Sequence, residues 1–170
     1  FRVNPDIDAG THENISTGKA DNKFGIPIAD AVEIYRYASK LEKIKIVGID
    51  VHIGSQISDL NAFRQTFEHL KKLIYELKNI NLELENIDIG GGLGIKYTDD
   101  DLEPDLHEYG TLVNQILGDL NCRIIFEPGR YIVGNSGILV TKVLYNKKSQ
   151  DKSFLITDAG MNDFSRTALY

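Results

Sequence analysis

Tryptophan is missing from this 170-residue chain, and cysteine and methionine appear once each. A lone Cys122 rules out an intrachain disulfide. With no signal-like segment, it points to a reducing, cytoplasmic setting. No apolar run approaches the length of a membrane span. Nor is there a surplus of base: 19 Lys and Arg stand against 25 Asp and Glu, a formal net charge of -6. That balance argues against nucleic acid or an anionic membrane as the main partner, while leaving room for a local basic pocket. What is present is 42% hydrophobic and 26% charged, ordinary globular composition with enough apolar mass for one sizeable core. The chain opens at Phe1 without a methionine and stops at Tyr170 in mid-pattern, so it is expected to be a piece of something larger.

Strand-like and helical patterns alternate along it. Residues 1–8 open with Phe1-Arg2-Val3-Asn4-Pro5, a short strand-like start broken by proline, and residues 9–23, with His12, Gly18 and Lys23, read as a polar loop. A helix is predicted over 30–43, with Asp30 as cap, Glu33 three residues on, and Val32, Tyr35, Ala38 and Leu41 facing inward. Residues 44–53 read as a strand in which Ile49, Val51 and Ile53 alternate with Asp50 and His52, so His52 falls on the face opposite the aliphatics. A second helix over about 59–78 carries Phe63, Phe67, Leu70, Ile74 and Leu77 on one stripe. Residues 84–89 are a strand running straight into Gly90-Gly91-Gly92. A third helix over about 104–118 has Pro104 near its first turn, where a missing N–H does no harm. Residues 123–126 read as a buried strand closed by Glu127-Pro128-Gly129-Arg130. Beyond it, Ile138, Val140, Val143 and Leu144 suggest a strand, 146–152 a polar turn and 153–157 a last strand.

Strand, loop and helix repeated in this way call for parallel βαβ units and an α/β fold. An open doubly wound sheet and a (β/α)8 barrel compete. The barrel takes about 250 residues, so this chain would supply the later part of one. The change of pattern after Arg130 suggests a barrel segment over 1–137 and the start of a C-terminal β-rich domain over 138–170.

In either architecture, loops after consecutive parallel strands emerge on one side, where ligands bind. His52, Ser55, Gly90 to Gly92, Glu127 and Arg130 would share that rim. The glycines are not a dinucleotide fingerprint, since Ile95 stands where its third glycine belongs, and no Gly-Lys-Ser/Thr follows to make a P-loop. They suit either a tight bend between backbones or an anion cradle, and three together at a strand end favour phosphate. His52 suits a satisfied inward histidine, a metal ligand or a flat ring stacked on a cofactor; metal is poorly supported, because no second His or Cys sits at ligand spacing. Glu127 suits a ring nitrogen, and the planar, permanently charged Arg130 a phosphate or carboxylate. An aromatic ring, a phosphate and a nitrogen needing an acid together describe pyridoxal 5′-phosphate.

The motifs Arg2-Val3-Asn4-Pro5, Lys23-Phe24-Gly25, His52-Ile53-Gly54-Ser55-Gln56, Gly90-Gly91-Gly92, Glu127-Pro128-Gly129-Arg130 and Asp158-Ala159-Gly160-Met161-Asn162-Asp163 span nearly the whole chain. In that order they resemble the diaminopimelate decarboxylases. These are fold-type III pyridoxal-phosphate enzymes with an alanine-racemase-like barrel, a following β-domain and a homodimeric, shared active site. The resemblance implies removal of CO2 from meso-2,6-diaminopimelate to give L-lysine, the last step of lysine biosynthesis. It implies His52 against the cofactor ring, Ser55 and Gly90, Gly91 and Gly92 at its phosphate, and Glu127 facing the pyridine nitrogen. Pro128, Gly129 and Arg130 form the cofactor loop, with Arg130 also reaching substrate; Arg166 and Tyr170 match residues that bind substrate carboxylate. His12 and Lys23 match motifs without an assigned role. The family's Schiff-base lysine lies upstream of the Arg2 region and its cysteine motif downstream, and neither has a counterpart here. The segment alone is therefore expected to be inactive. A carboxynorspermidine-type decarboxylase or a non-catalytic pyridoxal-phosphate-binding homologue are the rival readings.

Overall fold

The computed structural model describes residues 1–7 and 23–165, so His12, Arg166 and Tyr170 lie outside the described residues. In chain order the elements are β1 (Val3–Asn4), β2 (Ile26–Pro27), α1 (Ile28–Ala38), β3 (Gly48–Asp50), α2 (Leu60–Asn79), β4 (Asn86–Asp88), α3 (Leu106–Leu117), β5 (Arg123–Ile125), α4 (Gly129–Val133), β6 (Val143–Lys148) and β7 (Ser153–Thr157). They fall into two compact units, Phe1–Gly134 and Asn135–Tyr170.

In the first unit, β3, β4 and β5 form a parallel sheet in that order, with Ile87 opposite both Ile49 and Ile124. A parallel bridge between Arg2 and Asp50, and the Asp50 N–H donated to Phe1 O at 2.9 Å, set the start of the chain beside β3. β1 in turn pairs with β2. The parallel strands of the described residues thus run in the order β2-β1-β3-β4-β5, with α1 between β2 and β3, α2 between β3 and β4 and α3 between β4 and β5. β2 and β3 lie on opposite sides of β1, while β3, β4 and β5 follow one another in chain order, as successive strands of a barrel wall do.

Helical periodicity decides the core. On α2, Phe63, Phe67, Leu70, Ile74 and Leu77 are all buried, as are Tyr109, Leu112, Val113 and Ile116 on α3. They close over Ile49, Val51, Ile53, Ile87 and Ile89 of the sheet in one apolar cluster. The Phe63 and Tyr109 rings meet edge to face at 5.1 Å, a geometry worth about 0.5–1.5 kcal/mol beyond area burial. Asp59 caps α2 by accepting from Asn61 N–H at 2.8 Å, and Asp105 caps α3 by accepting from His107 and Glu108 N–H at 2.7 and 3.1 Å.

Four expectations need correction. Helix α1 starts at Ile28 behind Pro27, whose side chain makes no capping bond; the ring fixes φ at -55°, so Asp30 lies inside the first turn, where its charge meets the helix dipole. The helix ends at Ala38, and Lys40 and Leu41 continue as turns bonded three residues back. Pro104 stands before the Asp105 cap, outside α3. Residues 123–126 are not buried: Ile125 is 36% and Phe126 47% exposed, because among the described residues β5 has a sheet neighbour on one side only. The strand expected from Ile138 begins at Val143 and runs to Lys148, since Ser149 N–H closes the turn onto Lys152 O at 2.8 Å.

The second unit's described part is the antiparallel β6–β7 hairpin. Asp158 ties its open end together, accepting from Thr141 Oγ1 at 2.8 Å and Lys142 N–H at 2.9 Å.

Candidate functional site

Alternation along β3 sends Ile49, Val51 and Ile53 into the core and leaves Asp50 and His52 half-buried on the other face. Asp88 repeats the pattern on β4, directly opposite Asp50 in the ladder. After β5 the chain turns at Glu127 into the short α4. One oxygen from each of Asp50, Asp88 and Glu127 lies within 4.8 Å of the others. Burial raises the Asp50 carboxyl above its ordinary value, and the charges of Asp88 and Glu127 add to the rise; Arg2 opposes it. The same guanidinium donates to His52 O at 3.3 Å. Burial pulls the His52 imidazole down, and the positive charge of Arg2 pulls it further against Glu127 and Asp88.

Glycine is required at the strand tips for space. A Cβ on Gly90 would strike Val51 O, one on Gly91 Glu127 O and one on Gly92 Gly54 O, each closer than any real contact. Gly90 and Gly92 also have φ of +68° and +98°, where a side chain is strained. The three strand ends are therefore laced backbone to backbone. Gly90 N–H donates to Asp88 Oδ1 at 2.9 Å, Glu127 N–H to Gly90 O at 2.8 Å, and Gly91 N–H to His52 Nδ1 at 3.4 Å. An imidazole accepting at Nδ1 carries its neutral-state proton at Nε2.

The sequence-predicted residues divide accordingly. His52, Gly90, Gly91 and Glu127 are joined by these bonds, and Gly92 meets the loop leading to Ser55 through Gly54. Pro128 and Gly129 open α4, and Arg130 reaches back across the loops to Gln56 at 3.1 Å. Lys23 stands apart, with its Nζ 4.9 Å from the centre of the Phe24 ring. Glu127, Pro128, Gly129, Ile132 and Val133 line an open, mostly apolar depression. Among the described residues, no helix is long and apolar enough to cross a membrane. Sequence reasoning missed Asp50, Asp88 and Gln56 as members of this rim. The alternation that found His52 carried Asp50 on the same face, and the spacing of Asp88 before Gly90 repeated it.

These features define a class. The chain belongs to the pyridoxal-dependent decarboxylases, its residues 1–134 matching the family described as "Pyridoxal-dependent decarboxylase, pyridoxal binding domain". Over all 170 residues it is 48% identical to diaminopimelate decarboxylase of Neisseria meningitidis serogroup A and 47% to that of Aquifex aeolicus, covering 42% and 40% of those proteins. The crystal structure of diaminopimelate decarboxylase from Helicobacter pylori complexed with L-lysine superposes with a TM-score of 0.92 at 42% identity, over 99% of this chain and 42% of that one. The fold is thus a segment of the alanine-racemase-like (β/α)8 barrel, and the chain spans about two-fifths of the length of the relatives it matches.

Proposed function

We propose that this chain is the cofactor-holding segment of a pyridoxal 5′-phosphate-dependent decarboxylase that converts meso-2,6-diaminopimelate to L-lysine and CO2. The observation that carries the reading is the lacing of His52, Gly90, Gly91 and Glu127 at one end of the sheet, in a chain 48% identical along its whole length to the diaminopimelate decarboxylase of Neisseria meningitidis serogroup A. The relative complexed with L-lysine holds what would be the product.

The residues fit the cofactor: Gly90 to Gly92 let the strand ends close together backbone to backbone, an acid follows the next strand, and the flat His52 ring adjoins Gly91. When bound, the cofactor supplies the electron sink for the bond that releases CO2. His52 would pack on the cofactor ring. Glu127 would hold a proton at its pyridine nitrogen, which would keep the sink strong. Ser55 and the glycines hold the phosphate, with Pro128 and Gly129 shaping the neighbouring loop. Arg130 reaches the substrate, and Arg166 and Tyr170 bind its distal carboxylate. A distal ammonium, as in an ornithine- or lysine-type substrate, would want an acid at that place. Residues 138–170 begin the β-rich domain, and the enzyme works in the cytoplasm as a homodimer. The Schiff-base lysine comes from outside this segment, which is inactive by itself.

The test is an assay of the full-length protein with pyridoxal phosphate and meso-diaminopimelate. Glu127→Gln should lose turnover by about a hundredfold or more, the loss typical of one electrostatic catalytic contact. Arg166→Ala should raise KM. Unchanged kinetics in both variants would remove the site assignment. CO2 released from carboxynorspermidine but not from diaminopimelate would transfer the reading to the sibling enzyme.

A further inference from the structure

Gln56 stands in the loop after β3 with φ of +62°, a left-handed backbone uncommon for a residue with a side chain. Its amide explains why the conformation is kept. Oε1 accepts from Ile95 N–H at 3.3 Å and from Arg130 Nη1 at 3.1 Å, while Nε2 donates to Ile95 O at 2.5 Å. The orientation of the amide is dictated by its partners. Turned over, it would set its NH2 against the Ile95 N–H and against a guanidinium that has no acceptor. One half-buried side chain therefore spans the loops after β3, β4 and β5, the three that form the candidate site. Ile95 is itself buried, so the anchored end of this brace is fixed.

The choice of glutamine has an electrostatic meaning. A neutral carbonyl orients the guanidinium through one hydrogen bond and leaves its full charge in place. A carboxylate at the same position would orient it and neutralise it.

We propose that Gln56 is a positioning residue for the decarboxylation, holding Arg130 aimed at the substrate while leaving its positive charge for the substrate's carboxylate. This rests on the reading of Arg130 as a substrate-binding residue. Gln56 acts on substrate binding through Arg130, and not on cofactor retention.

The experiment uses the full-length protein loaded with pyridoxal phosphate. Gln56→Glu, close to isosteric, and Gln56→Leu, which removes both polar atoms, are measured in the wild-type and Arg130→Ala backgrounds. Each should raise KM for meso-diaminopimelate by about tenfold, the size of one oriented charged contact, with kcat within about twofold. In the Arg130→Ala background the same changes should move KM by less than about twofold, since nothing is left to aim. Within each background, cofactor affinity, read from the absorbance of the bound cofactor on titration, should change by less than about twofold when Gln56 is replaced. An unchanged KM in Gln56→Glu, or the same rise in both backgrounds, overturns the proposal. So does a loss of cofactor affinity in step with KM, which would mark a brace for the fold alone. Should Gln56→Leu not fold, Gln56→Glu decides by itself. A wild type that does not turn over diaminopimelate counts against the function proposed above; an active wild type indifferent to Gln56 counts against this assignment only.

Discussion

The two units of the chain solve opposite problems. Phe1–Gly134 encloses its own apolar residues: Phe67 is 0% exposed, and the cluster around it joins α2, α3 and the parallel sheet. Among the described residues of Asn135–Tyr170, none is buried, and Ile138 and Val140 are 90% and 81% exposed. A two-stranded hairpin cannot bury a face by itself and is marginal in water. The contrast teaches where stability and tolerance reside. Among the described residues, only the first unit has an interior for a substitution to disturb.

Three paired substitutions, compared by urea unfolding of this chain, can break or sharpen that contrast. The largest difference should come from apolar truncation: Phe67→Ala is expected to cost about 3–5 kcal/mol by opening a cavity, and Ile138→Ala less than about 0.5 kcal/mol. Comparable costs would mean that the second unit has a core of its own. Next come two glycines with no left-handed φ between them, which differ in space alone. A Cβ at Gly91 meets Glu127 O, whereas one at Gly137 meets nothing within 4 Å. Gly91→Ala should cost about 1–3 kcal/mol or more, and Gly137→Ala should stay within about 0.5 kcal/mol of the parent.

The smallest effect is a difference of sign with pH. Asp50 is raised above its ordinary 3.8, mainly by burial, so its contribution is present below 3.8 and is lost as pH rises through its folded value. Asp158 is lowered, chiefly by the Lys142 N–H and then the Thr141 hydroxyl, so its contribution is present above 3.8 and is lost as pH falls through its folded value. Asp50→Asn should therefore raise the urea midpoint at neutral pH, and Asp158→Asn should lower it. Both differences should shrink as the medium is acidified toward and below 3.8. A fall in both at neutral pH would show that the Asp50 carboxylate is fully compensated by Arg2.

Much of this was legible beforehand because the signals are local. Helical spacing of large apolar residues is strong enough to locate α2 and α3 to within a few residues, and alternation alone sets His52 opposite the core. Glycines at a strand tip announce close backbone approach whatever ligand follows. The remainder depended on neighbours far along the chain. The exposure of Phe126 follows from which strands flank β5, and the crowding of Asp50 against Asp88 follows from ladder register. Gln56 meets partners 39 and 74 positions away, and nothing in the local run marks it as a brace. The start of α1 was misplaced because two start signals competed, and the fixed φ of Pro27 outweighed a side-chain cap at Asp30.

The one-sided pairing of β5 among the described residues bears on how this segment behaves by itself in solution. Its unpaired edge lies beside Ile125 and Phe126, which face water, and such an edge is a template for pairing with another chain. Arg123 and Glu127 bracket the run with opposite charges, so a second copy laid antiparallel would set each against its complement. The isolated segment is therefore expected to self-associate through this edge.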